Sequence, residues 1–309
     1  MPVFNESSIM ISMANEADVA QFGIVKSLSI LEQCFIERCQ GTLESPPRLH
    51  AKLSDGQLVF TAGGSSKQHV SGFRVYTTFP EDRQMTIVYD SVSGHLYGIV
   101  EGSLLGAYRT ASIGALSIKY MSNSDAKSLG IIGSGVQAFH QTLAALKVRN
   151  FSSIYAHSRN PDHLHSFASR LSNHTDVPIH ELGSAGEVAA MSDVIITATR
   201  SSSPLFAPRH VRRGAHIVAV GPKSIGNSEI DPAVAELCTS LATDSPAQLE
   251  NYEPPHIMAG KKIMDLSEII CGKHPGRISS EDVTMFLSVG LSGTEVILAK
   301  AILDQKMKL

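Results

Sequence analysis

Cysteine is scarce and scattered in this chain. The 309 residues include four, Cys34, Cys39, Cys238 and Cys271, and none forms a C-x-x-C pair or joins a histidine in a short cluster. That spacing speaks against a metal site or a disulfide framework and fits a reducing cytoplasm. Blocks of like charge are also missing. With 26 Lys and Arg against 29 Asp and Glu, the net charge is −3, so no basic surface points to nucleic acid or an anionic membrane. Apolar runs stay below membrane-spanning length, and Met1-Pro2-Val3-Phe4-Asn5-Glu6 lacks the basic-then-apolar order of a signal peptide. What remains, 43% hydrophobic and 18% charged residues, describes an ordinary soluble globular protein, long enough for two domains with separate cores.

A glycine-rich turn stands out against this plain background. Ser128-Leu129-Gly130-Ile131-Ile132 leads into Gly133-Ser134-Gly135-Val136-Gln137-Ala138, followed by a helical pattern through Ala145 and Leu146. Gly133 would allow the tight turn out of a buried strand, Gly135 a close approach of backbone to a pyrophosphate, and Ala138 close packing of helix on sheet. The helix N-terminus would present free N–H groups and a positive dipole end to the phosphates. Alone, such a turn is also a common strand-to-helix connection. A second apolar run, Ile154-Tyr155-Ala156, ends where a ribose-reading side chain belongs. There the sequence reads His157-Ser158-Arg159-Asn160, with no carboxylate. Ser158 and Arg159 suit a ribose 2′-phosphate, which an acid would repel, and predict NADPH in preference to NAD. The plain alternative is that Arg159 caps or solvates the strand end.

Asn15 before Glu16, Ala17 and Asp18 reads as a capped helix start. Val19, Phe22, Val25, Leu28, Leu31 and Phe35 keep helical spacing to about Arg38. The period then changes to two. Leu49, Ala51 and Leu53 alternate, as do Phe73, Val75, Thr77 and Phe79, with Asp55-Gly56 and Ser93-Gly94 as hairpin turns. Residues 45–102 predict a mostly antiparallel sheet of about five strands, with Phe73 and Val75 buried and Arg74 on the opposite face. Helix returns from Ser103 to Tyr120. Beyond it, Leu129–Ile132, Ile154–Ala156, Val194–Thr197, Ile217–Val220 and Leu241–Thr243 are short apolar runs of the kind found in parallel strands covered on both faces. The fold class is α/β, a doubly wound Rossmann-type parallel sheet plus an N-terminal α+β domain. The domains are placed at 1–118 with a returning helix at 293–309, and at 119–292 for nucleotide binding. The segment Asp193–Thr199 would end near the nicotinamide half of the cofactor.

Three arginines sit where solubility does not call for them. Arg48 follows Pro46-Pro47, Arg74 lies mid-strand between Phe73 and Val75, and Arg109 interrupts an apolar helix. Each alone reads as readily as a snorkelling or ion-paired side chain. Converging on one cleft, they would form a pocket for a small carboxylate, which a guanidinium binds with two parallel hydrogen bonds. His50, His95, His157, His256 and His274 show no ligand spacing and read as exposed or hydrogen-bonded residues. Thr61-Ala62-Gly63-Gly64 are expected to line the side-chain end of the pocket.

Taken with Gly72-Phe73-Arg74-Val75, Arg109-Thr110-Ala111, the glycine turn, Gly276-Arg277-Ile278-Ser279 and Thr284-x-Phe286-x-Ser288-Val289-Gly290, the stretch Pro46-Pro47-Arg48 resembles the ornithine cyclodeaminase/mu-crystallin family. The resemblance runs from about residue 40 to 300. It implies a Rossmann domain, an N-terminal domain whose sheet joins a partner's in a homodimer, and NAD(P)(H) between the domains. It places Arg48 and Arg109 on the positions that bind the substrate carboxylate. The candidate cofactor residues are Thr110, Gly133, Ser134, Gly135, Val136, Gln137, Ser158, Arg159, Thr197, Ala198, Thr199, Val220 and Ser288.

Two departures from the family pattern matter. Arg74 replaces the usual strand lysine and is a poor proton donor. Lys223, in Val220-Gly221-Pro222-Lys223-Ser224-Ile225-Gly226, stands where cyclodeaminases carry an acid/base Asp. Deamination needs a base near the reacting carbon, so its loss favours the ketimine-reducing branch. The expected reaction is NADPH-dependent reduction of a small α-imino acid, such as Δ1-pyrroline-2-carboxylate or Δ1-piperideine-2-carboxylate, to the L-amino acid. Arg48, Arg74 and Arg109 would hold the carboxylate. Lys223 would donate a proton if burial lowers its pKa, or else face solvent or a phosphate. The alternatives are ornithine cyclodeamination with NAD, an alanine dehydrogenase-like activity, and a non-catalytic NADPH-binding, crystallin-like protein.

Overall fold

The computed structural model describes residues 11–79 and 83–308; the N-terminal stretch Met1–Glu6, read above for a signal peptide, lies outside the described residues. Packing divides the chain into two compact units. The first holds residues up to Gly23, Thr42–Leu105 and the chain from Ser292 onward; the second holds Ile24–Gly41 and Gly106–Leu291. Residues 24–41 and 106–118, which the sequence pattern attaches to the first domain, thus group with the second unit.

The division at Gly23 has a local cause. The helix Glu16–Cys39 starts where Asn15 Oδ1 accepts the Ala17 N–H at 2.9 Å, and it breaks at Gly23, whose φ of 81° and ψ of 161° are not helical. The break changes the phase of the apolar stripe. Val19, Phe22, Leu28, Leu31 and Phe35 are buried as expected, but Val25 is 57% exposed. This helix is also long and apolar enough, by length and composition, to cross a membrane, which corrects the expectation from run length. Its break and its buried Leu31, Cys34 and Phe35 are features of a packed helix in a globular core.

In the first unit a seven-stranded sheet runs in the order Ser12–Ala14, Leu96–Glu101, Met85–Asp90, Val70–Thr77, Gly56–Ser65, Leu43–Glu44, with Leu49–Leu53 also paired to Gly56–Ser65. The Ser12–Ala14 pair is parallel and the others antiparallel. The helix Thr294–Lys306 covers one face, burying Val296, Ile297, Leu298, Ile302 and Leu303.

This covering reverses the expected burial in the strand Val70–Thr77. Arg74 is 9% exposed, whereas Phe73 and Val75 are half-buried. Arg74 is tolerated inside because its charge is met by Glu295 of the covering helix at 3.7 Å, Gln84 accepts a hydrogen bond from it, and its guanidinium lies 4.6 Å over the Tyr76 ring. Leu49, Ala51 and Leu53 do not alternate between core and solvent; all of Leu49–Leu53 is exposed. Gly63 and Gly64 leave room for backbone rather than for a pocket. A Cβ at Gly63 would lie 2.3 Å from Glu44 O, and one at Gly64 would lie 2.1 Å from Val70 O.

The second unit is a doubly wound α/β domain. Its main sheet has eight strands, all parallel, in the order Ile179–Glu181, Ser153–His157, Ser128–Ile132, Val194–Thr197, His216–Ala219, Thr284–Leu287, Ser240–Thr243, Met264–Asp265, beside a short antiparallel pair, Lys223–Ser224 with Asn227–Ser228. From Ser128–Ile132 the next two strands in sequence are added on one side and Val194–Thr197 on the other. The topological switch point therefore lies between Ser128–Ile132 and Val194–Thr197, the place where open α/β sheets bind ligands. The helices between strands start on local signals. Asn160 caps Pro161–Ser172, and a reciprocal Ser184–Glu187 capping box starts Ala185–Met191. Three strands escape the periodicity reading. Ile179–Glu181 and Met264–Asp265 are too short and polar to stand out, and Thr284–Leu287 begins with a buried threonine.

Candidate active site

The glycine turn lies at the switch point. Gly133 has φ of 125°, and a Cβ there would sit 2.4 Å from Ala198 O, at the end of the neighbouring strand. Only glycine accommodates both conditions. Gly135 caps the helix Val136–Ala145 without a side-chain hydrogen bond, and the space a Cβ would occupy there is open. Val136, an apolar residue at the first helical position, is 61% exposed. The Gln137 Oε1 atom is buried with no hydrogen-bond partner among the described residues. Ser134 Oγ lies 2.9 Å from Ser158 Oγ, joining the turn to the end of the second strand. Beside it Arg159 is exposed, while Asn160 is the residue that caps the next helix. An open helix N-terminus, an exposed valine and an unused amide oxygen are the features a bound dinucleotide would complete, and the donors here fit one.

The neighbouring strand ends form a wall built on a carboxylate that sequence reasoning missed. Glu229 is wholly buried. Its Oε1 accepts hydrogen bonds from Thr197 Oγ1 and Gly221 N–H, both at 2.7 Å, and its Oε2 accepts from Thr199 N–H at 2.9 Å and Thr199 Oγ1 at 2.6 Å. Val220 N–H donates to Thr197 O at 2.9 Å, and Ser288 N–H to Ala219 O at 3.0 Å. Thr197, Ala198, Thr199, Val220 and Ser288 thus lie along the carboxyl ends of three adjacent strands. Lys223 is 1% exposed, which removes the solvent-facing alternative, and its Nζ donates to Gly221 O. Burial and then the Lys223 charge push the His256 pKa down to about 3. His256 Nδ1 accepts the Met258 N–H at 3.0 Å.

Arg109, in the helix Leu104–Met121, is 7% exposed. Its charge acts on Asp244, a fully buried carboxylate that accepts the N–H groups of Val289 and Gly290 at 2.8 Å each. Burial raises the Asp244 pKa, while those two N–H donors and Arg109 pull the other way. Next to Arg109, the carbonyl of Thr110 accepts from Gln141 Nε2 at 3.1 Å, which ties this helix to the one that follows the glycine turn. Arg48 and Arg74 belong to the first unit and fall on one row of its sheet. Arg48 precedes Leu49, the partner of Phe60, and so stands level with Thr61, which pairs with Arg74. The Thr61 hydroxyl in that row is buried without a hydrogen-bond partner among the described residues.

Glu229, Asp244 and Gln141 carried no sequence signal. Each sits beside other polar residues with no spacing that sets it apart, and the donors around Glu229 come from positions 8 to 32 residues away. The four cysteines are free thiols, and no group of three or more His, Cys, Asp or Glu that could hold a metal occurs among the described residues.

The profile of the ornithine cyclodeaminase/mu-crystallin family matches residues 9–308. The chain belongs to that family. A Δ1-pyrroline-2-carboxylate reductase of Bacillus cereus is 27% identical over 253 residues, spanning 77% of this chain and 78% of that protein. An iminosuccinate reductase of Paracoccus denitrificans is 30% identical over 259 residues, 79% of this chain and 80% of its own. Among solved structures, the Δ1-pyrroline-2-carboxylate reductase of Thermococcus litoralis, in complex with NADH and L-proline, superposes with a TM-score of 0.90 at 25% identity. That superposition covers 96% of this family member and 98% of the archaeal chain.

Proposed function

We propose that this family member is an NAD(P)H-dependent reductase of small α-imino acids, and that its preferred cofactor is NADPH. The observation that carries the reading is the commitment of the buried carboxylates at the strand ends. Glu229 is taken up by four donors and Asp244 by two backbone N–H groups, and Lys223 replaces the acid/base Asp of a cyclodeaminase. Ornithine cyclodeamination needs a free base to activate an amine; reduction of an imine that arrives protonated does not. The named relatives above, two reductases of different imino acids, support the same class.

In the proposed reaction Arg109 and Arg48 hold the substrate carboxylate, and Arg74 shapes the same row while its charge is shared with Glu295. Reduced nicotinamide supplies the hydride when bound. The arginines fix the imino carbon relative to it, and such positioning provides much of the rate. The glycine turn and the N-terminus of Val136–Ala145 hold the pyrophosphate, and Ser158 with Arg159 favours a 2′-phosphate where an acid is missing. A homodimer through the first unit accounts for its apolar surface. Met13, Leu49, Leu53 and Met85, which are 57, 71, 63 and 41% exposed, are the apolar side chains a partner would cover; sedimentation at micromolar concentration should give twice the chain mass.

Turnover on a panel tests the activity. NADPH consumption with Δ1-pyrroline-2-carboxylate, Δ1-piperideine-2-carboxylate and iminosuccinate should exceed any formation of proline and ammonia from L-ornithine with NAD. Ornithine turnover would move the protein to the cyclodeaminases. Tight NADPH binding without turnover of any imino acid would favour the non-catalytic, crystallin-like role.

A further inference from the structure

The backbone of Gly221 is held on both sides of its Cα by buried charges. Its N–H donates to Glu229 Oε1 at 2.7 Å, and its carbonyl accepts from Lys223 Nζ. Glu229 is 0% exposed and Lys223 is 1% exposed. The loop between them is closed by backbone as well, because Glu229 N–H donates to Pro222 O at 3.0 Å. A side chain at Gly221 would have to displace the Glu229 carboxylate. A Cβ there would lie 2.3 Å from Glu229 Oε2. Through its other oxygen contacts the carboxylate grips Thr197 and Thr199, at the end of the adjacent strand.

We propose that Glu229 and Lys223 are paired positioning residues that act through the backbone of Gly221 to set the crevice wall seating the nicotinamide half of the cofactor. The anion meets the positive end of the Val220–Gly221 peptide and the cation the negative end of the Gly221–Pro222 peptide, so two charge-assisted hydrogen bonds fix the peptides on both sides of one Cα. The clamp joins the carboxyl ends of Val194–Thr197 and His216–Ala219, on the side of the switch point away from the adenosine-reading Ser158 and Arg159. Lys223 is thereby a loop-holding residue rather than a proton donor. The proposal rests on the NAD(P)H reading given above.

The test compares the parent with Glu229→Gln, Lys223→Met, their double variant and the milder Thr199→Val, which removes one hydroxyl donor. Dissociation constants are measured for NADPH, NADH and two fragments without nicotinamide, ADP-ribose and its 2′-phosphate. Glu229→Gln and Lys223→Met should each weaken the whole cofactor about tenfold and leave the fragments within about twofold. The double variant should be no weaker than about twentyfold, because residues that hold one glycine from both sides are coupled. Thr199→Val should show the same pattern at smaller size, and it keeps the test valid if Glu229→Gln fails to fold. Without cofactor, hydrogen exchange at the Gly221 amide should be slow in the parent and fast in Glu229→Gln. The pH dependence of kcat in Lys223→Met should keep the parent's shape.

Additive losses, fragment affinities that fall in step with the whole cofactor, or parent-like NADPH binding in both single variants would overturn the proposal. So would loss of one limb of the pH profile in Lys223→Met, which would mark a proton donor. A parent that bound neither dinucleotide would remove the functional reading itself. The exchange measurement would still report whether the clamp exists, so the two failures are distinguishable.

Discussion

Arg109 shares the interior with Asp244, and a guanidinium held in such a field is oriented before any ligand arrives. In the proposed reaction it offers two charged hydrogen bonds to the substrate carboxylate, each worth about 1.5–3 kcal/mol. Arg109→Ala should therefore raise KM for the imino acid on the order of 100-fold and leave the dissociation constant for NADPH nearly unchanged. Equal losses in both would show that this arginine serves the cofactor. Arg159 makes a different prediction. Exposed at the end of Ser153–His157, it is free to meet a phosphate, and Arg159→Asp should repel one. The ratio of kcat/KM for NADPH over NADH should fall at least tenfold, and an unchanged ratio would return Arg159 to a solvated strand end. Arg74 shows how much a single position hides from sequence. Its alternation with Phe73 and Val75 was plain, but which face is buried depended on Glu295, far along the chain on the covering helix.

Elements that rest on local chemistry were legible. The Asn15 cap, the Ser93-Gly94 turn and the turn at Gly133 follow from backbone preferences that a few neighbouring residues decide; the Asp55-Gly56 signal marks a hairpin whose turn residues are Ser54 and Asp55, with Gly56 opening the next strand. Gly133→Ala should test the turn at Gly133. With φ of 125° and Ala198 O 2.4 Å from the new Cβ, the substitution should lower Tm by several degrees and abolish measurable NADPH binding. Retained binding would mean that the turn does not seat the pyrophosphate. Elements that depend on distant partners were not legible. The strand Leu49–Leu53 alternates in sequence yet lies wholly exposed, because the covering helix lies over the other strands of that sheet. Glu229 belongs to the same group, since its four donors come together only when two parallel strands lie side by side. The break at Gly23 is intermediate; a glycine in a helical run marks a possible interruption, but only packing shows that the stripe changes phase there.

Two buried histidines tie the stability of the protein to pH. His216 is wholly buried between Ser117 Oγ at 3.2 Å and Thr284 Oγ1 at 2.8 Å. Burial, then the charges of Arg277 and Arg149, push its pKa down to about 3, and burial with the Lys223 charge does the same to His256. The unfolded rings take up protons near pH 6.5, which the native rings refuse until about pH 3. Their contribution to stability is therefore complete above pH 6.5 and is lost as pH falls toward 3, by about 1.4 kcal/mol per pH unit for each histidine. His216→Asn should flatten the fall in unfolding free energy between pH 6 and 4 by about that slope, measured from denaturant midpoints. An unchanged slope would place the acid sensitivity in other groups.

Isotopic transfer shows where the hydride goes. Protein incubated with an accepted cyclic imino acid and NADPH deuterated at the transferable position of the nicotinamide should yield an L-amino acid carrying one deuterium, located by mass spectrometry at the carbon next to the carboxylate. Product without that deuterium, or labelled only when the solvent is deuterated, would contradict the account.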